Sequence, residues 1–524
     1  MSWLYRGCAV RRALFLCALG SALAVSGCAN IPAFETGDVA PRRVFAVGLE
    51  NLSERYVDPV RLSDVTLAGL NNLSTIDSAI QVEESRGNLR LLSRKQVIAE
   101  WKVPDRAGSY EWASLMGDVL EAAREHSSAI RGKTAEQLYE TVFKGALSRA
   151  DRYTHYDGRD VARRNRAGRE GFGGIGVTIR VEGPATTVTD VTAGTPASRA
   201  GIKVNDRIVA VNGRPIVGAT QEEVIDALRG PIESPITLGI ARGAEPPFDV
   251  SLARAFIVPT TVTVAREGDI LNIKLTGFNA ATSRQLRREI TRTERAGAKP
   301  IKGAVLDLRG NPGGLLDQAV AVVDLFLKDG RIISTKGRHP DSNQIFDAHN
   351  DEWLAGLPMV VIVNGRSASA AEIVAVSLRD HRRAIVMGSS SFGKGTVQTI
   401  VNLPNGGEMA MTWARIVSPS GRALQDIGVV PTICTNSDAE LVRALVQALK
   451  RDGETARVAL AGYLRGRGSA DSAVELRRAA CPPSVEENAA DMELARLIAG
   501  SEGLYQRALG AEAPVIAVNT PARP

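Results

Sequence analysis

Residues 359–398 read MVVIVNGRSASAAEIVAVSLRDHRRAIVMGSSSFGKGTVQ. The run from Met359 to Val363 is mostly β-branched and lies between Pro358 and Asn364-Gly365, the pattern of a buried strand. A turn of small residues, 367–371, then opens a helix. Ile373, Val376 and Ser377 recur at helical spacing, Glu372 lies in the first turn, and Arg379, Arg382 and Arg383 gather at the far end, where the helix macrodipole favours cations. An amphipathic helix is therefore expected between two apolar runs, the second leading to a lysine bracketed by glycines, Phe392-Gly393-Lys394-Gly395.

A serine in the first turn of a helix that follows a buried strand is held beside free backbone N–H groups, which can stabilise an oxyanion. A serine at its normal pKa is a poor nucleophile and needs a base. Lys394 is the candidate, because the flanking glycines let the chain turn tightly and burial would lower the lysine pKa until a neutral amine could take the serine proton. Neither motif decides this alone: small residues at helix starts also serve close packing, and a Gly-Lys-Gly turn also serves as an exposed loop. A rival reading is present as well. Residues 388–394 spell G-x-x-x-x-G-K after a strand, close to a phosphate-cradling P-loop. The match fails twice, since Gly395 stands where Ser or Thr would hold magnesium and residues 396–401 alternate like a strand where a P-loop needs a helix.

The segment SASAAEI, followed by FGKGTVQ with Lys394 25 positions after Ser369, resembles the carboxyl-terminal processing peptidases, serine–lysine endoproteases of bacterial envelopes and chloroplast lumens. The resemblance implies that Ser369 is the nucleophile, Lys394 the general base and Gln398 the residue that orients the amine. It implies that the amide of Ala370 is one oxyanion donor. A second is implied in the glycine turn of GAVLDLRGNPGG (303–314), on Gly313 or Gly314, with the choice open. Ser367 is a competing serine, but its position does not match. The implied core is a crotonase-like, ClpP-like αβ fold needing no metal or nucleotide cofactor.

At 524 residues and 44% hydrophobic composition, the chain is long enough for several packed domains. Residues 1–27 have a basic start and an apolar core from Ala13 to Val25, as in a secretory signal peptide. Val25-Ser26-Gly27-Cys28 resembles a lipobox, which would make Cys28 a lipidated first residue and a membrane anchor. Ala29 after it resembles the outer-membrane sorting pattern, so the expected location is the periplasmic side of the outer membrane. The formal charge of +6 falls to about +3 without leader residues Arg6, Arg11 and Arg12, and no basic-aromatic patch points to nucleic acid. Beyond the leader and Cys28 only Cys434 and Cys481 remain. An even pair in an oxidising compartment suggests a disulfide worth roughly 4 kcal/mol; two separately buried thiols are the alternative. The histidines (His126, His155, His339, His349, His381) are scattered without zinc-ligand spacing. His381, at the expected helix end among arginines, reads as a cap rather than a triad base.

Residues 28–42 form a tether, and residues 43–168 are mainly helical, with Phe45, Leu49, Leu52 and Tyr56 setting the first period. A strand-like stretch interrupts them at 88–103, and 78–133 reads as inserted relative to the family. Arg152-Tyr153-Thr154-His155-Tyr156 stands where the family has an Asp-Pro-His-Ser-like turn, without that motif. Residues 169–245 are expected to form a PDZ domain. Gly173, Gly174, Ile175, Gly176 and Val177 make a nest of amides suited to a peptide carboxylate, beside a strand edge that can accept a further strand. Residues 191–216 resemble the PDZ signature, with Asn205 replacing a glycine at a turn that needs left-handed backbone. A helix over 222–229 then lines the groove through Val224 and Leu228. Proteins or peptides with exposed carboxyl termini are the expected partners.

Residues 246–435 carry the protease core: a strand over 269–278, an arginine-rich helix over 283–296, the strand and glycine turn of 303–314, a helix over 315–327, and closing strands at 408–417 and 427–431. A helical region, 436–510, begins at a capping box of Ser437 and Glu440, and 511–524 is an Ala- and Pro-rich end. Packing against the core is the simplest account of that region; homo-oligomerisation and docking of an adaptor lipoprotein are the alternatives. The chain thus reads as an α+β multidomain, lipid-anchored serine endopeptidase that selects envelope proteins by an apolar carboxyl terminus. A catalytically silent PDZ scaffold and a nucleotide-binding protein are the competing classes. Joint presence of serine, lysine and glutamine disfavours the scaffold, which gains nothing from their spacing.

Overall fold

The computed structural model describes residues 40–103, 107–297, 299–349, 352–435 and 481–510, together with positions 440, 442–444, 446, 447, 478 and 479. The leader, Cys28 and the capping box at Ser437 lie outside these residues.

The core is a six-stranded sheet in the order Val262–Glu267, Ile270–Leu275, Gly303–Asp307, Met359–Val363, Ile385–Gly388, Ile433–Cys434. The first pair is an antiparallel hairpin and every later pairing is parallel. Parallel strands covered on both faces are apolar throughout, and Met359–Val363 is buried at every position. Its alternate residues serve opposite faces. Met359, Val361 and Val363 pack with Leu286, Val322 and Ile373 from helices Thr282–Ala296, Leu316–Asp324 and Ala370–Asp380. Val360 and Ile362 meet Leu494 and Ile498 of the late helix Ala489–Ala499, so the described part of the C-terminal region packs against the core.

Two expectations fail here. The helix Ala370–Asp380 is buried on every side from Ala370 to Leu378 rather than amphipathic, because helix Leu316–Asp324 and strand Arg331–Lys336 cover the side away from the sheet. Residues 427–431 are turn and coil: Gly428 sits at φ +66° and Pro431 has no N–H to give a ladder, so the strand forms two residues later at Ile433–Cys434. Cys434, ending that strand, is disulfide-bonded to Cys481.

A second, antiparallel sheet runs Ile345–Asp347, Arg331–Lys336, Glu408–Val417, Thr396–Asn402, with the short strand His155–Asp157 added to Glu408–Val417. The N-terminal region docks on it. Val57 N–H donates to the Thr412 carbonyl at 2.9 Å, and Met409 and Met411 enter the core formed by helices Pro41–Arg55, Leu62–Asn71, Ser109–His126 and Ala135–Leu147. The stretch at 88–103 supplies two strands of a three-stranded meander, Ile80–Ser85, Asn88–Ser93 and Gln96–Lys102.

The small domain is an antiparallel sheet in the order Phe248–Ala253, Pro235–Ala241, Arg207–Val211, Ala185–Val191, Val177–Glu182, with helix Gln221–Leu228. Phe248–Ala253, expected within the core at 246–435, pairs along its length with Pro235–Ala241, so this domain runs past residue 245. Asn205 adopts the left-handed φ of +72° that its turn needs.

Helix Arg159–Arg169 ties the parts together. Arg163 pairs with Asp226 of helix Gln221–Leu228 at 2.9 Å, while Arg166 and Arg169 reach Glu408 at 2.8 and 2.9 Å. Glu408 is buried and the Arg163 pair is exposed, and that difference decides their worth. Glu408→Ala takes a shared carboxylate from two guanidinium groups that still reach water, and is expected to cost about 2 kcal/mol. Arg163→Ala is expected to cost under about 1 kcal/mol. Urea midpoints of the two variants check the order.

Candidate active site

The strand Met359–Val363 ends in a turn held by Asn364 Oδ1 and the Ser367 hydroxyl. Asn364 Oδ1 accepts from Gly310 N–H and Arg366 N–H at 3.0 and 3.1 Å. Ser367 Oγ donates to the Leu308 carbonyl at 2.8 Å and accepts from Asn364 N–H at 3.0 Å, so this buried hydroxyl belongs to the turn. Ser369 follows, half-buried, with φ +53° and ψ −114° immediately before the helix. Such a conformation in a residue with a Cβ costs on the order of 1–3 kcal/mol and needs restraint from outside.

Glu372 supplies it. One carboxylate oxygen, Oε2, accepts from the amide of Ser369 at 2.7 Å and from the amide of Lys394 at 2.9 Å. The other, Oε1, accepts from the amide of Gly393 at 2.7 Å and from the Ser391 hydroxyl at 2.5 Å. The two amide nitrogens of Ser369 and Lys394 therefore lie no farther apart than two hydrogen bonds through one oxygen. Burial pushes the Glu372 carboxyl up, and the four donors pull it back towards the anion.

Lys394 Nζ donates to Gln398 Oε1 at 2.8 Å, and burial pushes its pKa down against the smaller upward pull of the Asp151 and Glu372 charges. Gln398 in turn is oriented by Tyr153, whose carbonyl accepts from Gln398 Nε2 at 2.5 Å and whose ring centroid lies 5.1 Å from Lys394 Nζ. Asp151 Oδ1 fixes that turn by accepting from the amides of Tyr153 and Thr154 at 2.9 and 2.8 Å. Sequence reasoning passed over Tyr153 because a backbone carbonyl leaves no side-chain signature. Glu372 was legible only as a first-turn acid, although Ser-Ala-Ala-Glu has the spacing of a capping box.

Ala370 is the first residue of its helix, so its N–H has no partner within the helix. Gly313 lies directly against it: a Cβ there would come within 2.9 Å of Ser369 Cβ and 3.1 Å of Ala370 N, at φ +104°. Only glycine lets the turn approach so closely. The Gly313 N–H is taken by Asn311 Oδ1 at 2.8 Å, whereas the Gly314 N–H makes no hydrogen bond among the described residues.

The rival motifs are placed elsewhere or differently. Residues 389–395 form neither helix nor strand, and Lys394 runs into the strand Thr396–Asn402, so no helix N-terminus is present to cradle a phosphate. His381 caps the far end of helix Ala370–Asp380 with Nε2 2.6 Å from the Arg331 carbonyl. By the helical rise it is about 18 Å from Ser369.

In the small domain the nest is shorter than expected. Gly173 and Gly174 pair in a strand, Phe172–Gly174, with Ala255–Ile257, and Gly173 packs on Gly230. Ile175 and Gly176 remain, their carbonyls held by Ala197 N–H and Thr192 N–H and their amides unengaged among the described residues. Val177 opens the edge strand. Val224 and Leu228 are buried in the domain core with Ile179 and Ile208 rather than lining an open groove, since an eight-residue helix has one apolar stripe and uses it to pack.

Residues 269–435 match the model of peptidase family S41, and residues 187–242 match that of the PDZ domain. The carboxy-terminal-processing protease of Bartonella bacilliformis is 39% identical over 328 residues, 62% of this chain and 75% of that protein. The chain belongs to the carboxy-terminal-processing proteases. Carboxy-terminal processing protease CtpA of Bacillus subtilis is 31% identical over 301 residues, 57% of this chain and 64% of that protein. Among solved structures, the photosystem II D1 C-terminal processing protease superposes with a TM-score of 0.35 at 27% identity, covering 62% of this chain and 86% of that one. The protein is a serine-type peptidase that carries a PDZ domain.

Glu372→Ala leaves three amides and a hydroxyl without an acceptor in a dry site. The peptidase is expected to lose at least about 3 kcal/mol of stability, with Glu372→Gln also destabilising because its NH₂ faces donors. Denaturant unfolding of both variants measures this.

Proposed function

We propose that Ser369 attacks the scissile carbonyl of a peptide while neutral Lys394 takes its proton. The tetrahedral oxyanion is held by the amides of Ala370 and Gly314, the latter because the Gly313 amide already serves Asn311. Lysine returns the proton to the leaving amine. Water, deprotonated by the same amine, then resolves the acyl-enzyme. The observation that carries this reading is the shared Glu372 oxygen, which links the backbones of Ser369 and Lys394 beside a lysine whose pKa is pushed down by burial.

Substrate selection is assigned to the small domain. The edge of Val177–Glu182 has no strand beyond it among the described residues, and the free amides of Ile175 and Gly176 suit a terminal carboxylate. Half-buried Val177 and Ile225 favour an apolar last residue. The leader and the Cys28 lipobox support a lipid-anchored site of action on envelope proteins at the periplasmic face of the outer membrane.

Cleavage of an unfolded reporter ending in apolar residues tests the mechanism. Ser369→Ala and Lys394→Ala are expected to lower kcat by a factor on the order of 10⁴ or more while reporter binding persists. A wild type that binds without cutting, or a Lys394→Ala variant that cuts normally, sinks the reading.

The base must be neutral, so kcat/KM rises with pH through the lysine pKa, and that ascending limb is expected below the range of a free lysine. Asp151 holds the lysine pKa up through its negative charge. Asp151→Asn removes the charge and keeps an acceptor for the Tyr153 and Thr154 amides, so the limb is expected to move to lower pH. A pH–rate profile of that variant checks the sign.

A further inference from the structure

Residues 389–393, which carry the chain to Lys394, lie in neither helix nor strand. Glu372 braces this loop from one side. From the other side comes Arg478. Its Nη1 donates to the Ser391 carbonyl at 2.9 Å and to the Ile427 carbonyl, and its Nη2 donates to the Phe392 carbonyl at 3.3 Å. Three residues on, Cys481 is bonded to Cys434 at the end of the core sheet. Ser484 completes the contact. Its carbonyl accepts from Gly365 N–H at 2.6 Å and from Ser389 Oγ at 3.2 Å, and its own N–H donates to Ser389 Oγ at 3.1 Å. Arg478, Cys481 and Ser484 thus touch both the turn before the nucleophile helix and the loop before the base.

We infer that Arg478 is a positioning residue for Lys394, held in place by the Cys434–Cys481 disulfide, so that peptidase activity depends on that disulfide being intact. The inference rests on the serine–lysine reading above. A guanidinium is a rigid fork of donors, and here it pins three carbonyls of otherwise irregular backbone, which a flexible ammonium reproduces only in part. A dithiol reductant transfers two electrons and two protons to the disulfide, giving two thiols and leaving itself as a cyclic disulfide. The segment then loses its covalent tie to the core sheet and is held against the loop by non-covalent contacts, the hydrogen bonds of Arg478 and Ser484 among them.

A loosened loop admits water to the amine. Lys394 faces Asp151 and Glu372, with His155 and the Tyr153 ring on the N-terminal side and Arg478 and Asp426 beyond the loop. Hydration removes the burial that favours the neutral amine, so the ammonium persists to higher pH. Misfolding of a fraction of the molecules would instead lower the rate equally at every pH.

The experiment measures kcat/KM for the reporter against pH with the full chain, alongside circular dichroism for the folded fraction. The samples are wild type, wild type reduced with dithiothreitol, Cys434→Ala/Cys481→Ala, Arg478→Ala, Arg478→Lys and Lys394→Ala. Arg478→Ala and both disulfide-free samples are expected to be at least about tenfold slower at neutral pH, through kcat rather than KM, with the ascending limb moved to higher pH. Arg478→Lys is expected to fall between Arg478→Ala and wild type. A wild-type rate in Arg478→Ala or in the folded, reduced protein overturns the inference, as does a slowing uniform in pH. A Lys394→Ala variant as fast as wild type shows instead that the serine–lysine reading has failed, and the inference falls with it.

Discussion

A carboxylate removed from water costs several kcal/mol unless other donors replace its hydration. Glu372 is fully buried and has four such donors, three of them backbone amides that can only donate. That constraint organises the site. To keep its anion satisfied the protein must bring the amides of Ser369, Gly393 and Lys394 around one side chain, and doing so fixes a strained serine and an irregular loop with respect to each other. The first turn of the helix adds the positive end of its dipole to the same anion. Removing any of these donors leaves a buried charge short of partners, so the backbones of Ser369 and Lys394 are coupled through it.

The elements around the site were largely legible because they obey simple periods. Met359–Val363 is apolar at every position and sends alternate residues to opposite faces, which a continuous β-branched run announces. Helix Ala370–Asp380 lies where the sequence places it but is not amphipathic, since its polar residues Glu372 and Ser377 are buried and satisfied locally, Ser377 by the Ile332 carbonyl at 2.7 Å. Periodicity cannot distinguish a solvated polar residue from one with a private acceptor. The boundary after residue 245 cut a hairpin for a similar reason: Phe248–Ala253 alternates half-buried and exposed positions, and such a strand fits either domain until its partner is known.

The N-terminal region illustrates what a sequence withholds. Tyr153 lies in a segment without the expected motif, yet its carbonyl is the acceptor that decides which way the Gln398 amide faces. An amide with its NH₂ spent on that carbonyl must turn its oxygen to the lysine; flipped, it would set NH₂ against Nζ. The constraint is transmitted through strand His155–Asp157, paired with Glu408–Val417, and through Asp151, whose carboxylate closes the turn. The N-terminal region is therefore part of the environment of Lys394.

That environment also supports the base role proposed for Lys394. An ammonium has three hydrogens to place, and among the described residues Lys394 Nζ has one hydrogen-bond acceptor, Gln398 Oε1, with the face of Tyr153 as a weaker second partner. A neutral amine asks for less: one hydrogen to Gln398, and a lone pair left for the proton of an attacking hydroxyl. Two acidic groups, Asp151 and Glu372, pull the other way, but Glu372 has spent both oxygens on amides and a hydroxyl and offers the amine no contact. Burial without enough acceptors is what tips the balance towards the amine. Gln398 accomplishes this where an aspartate or glutamate could not, because it accepts a hydrogen bond without adding the negative charge that would restore the ammonium.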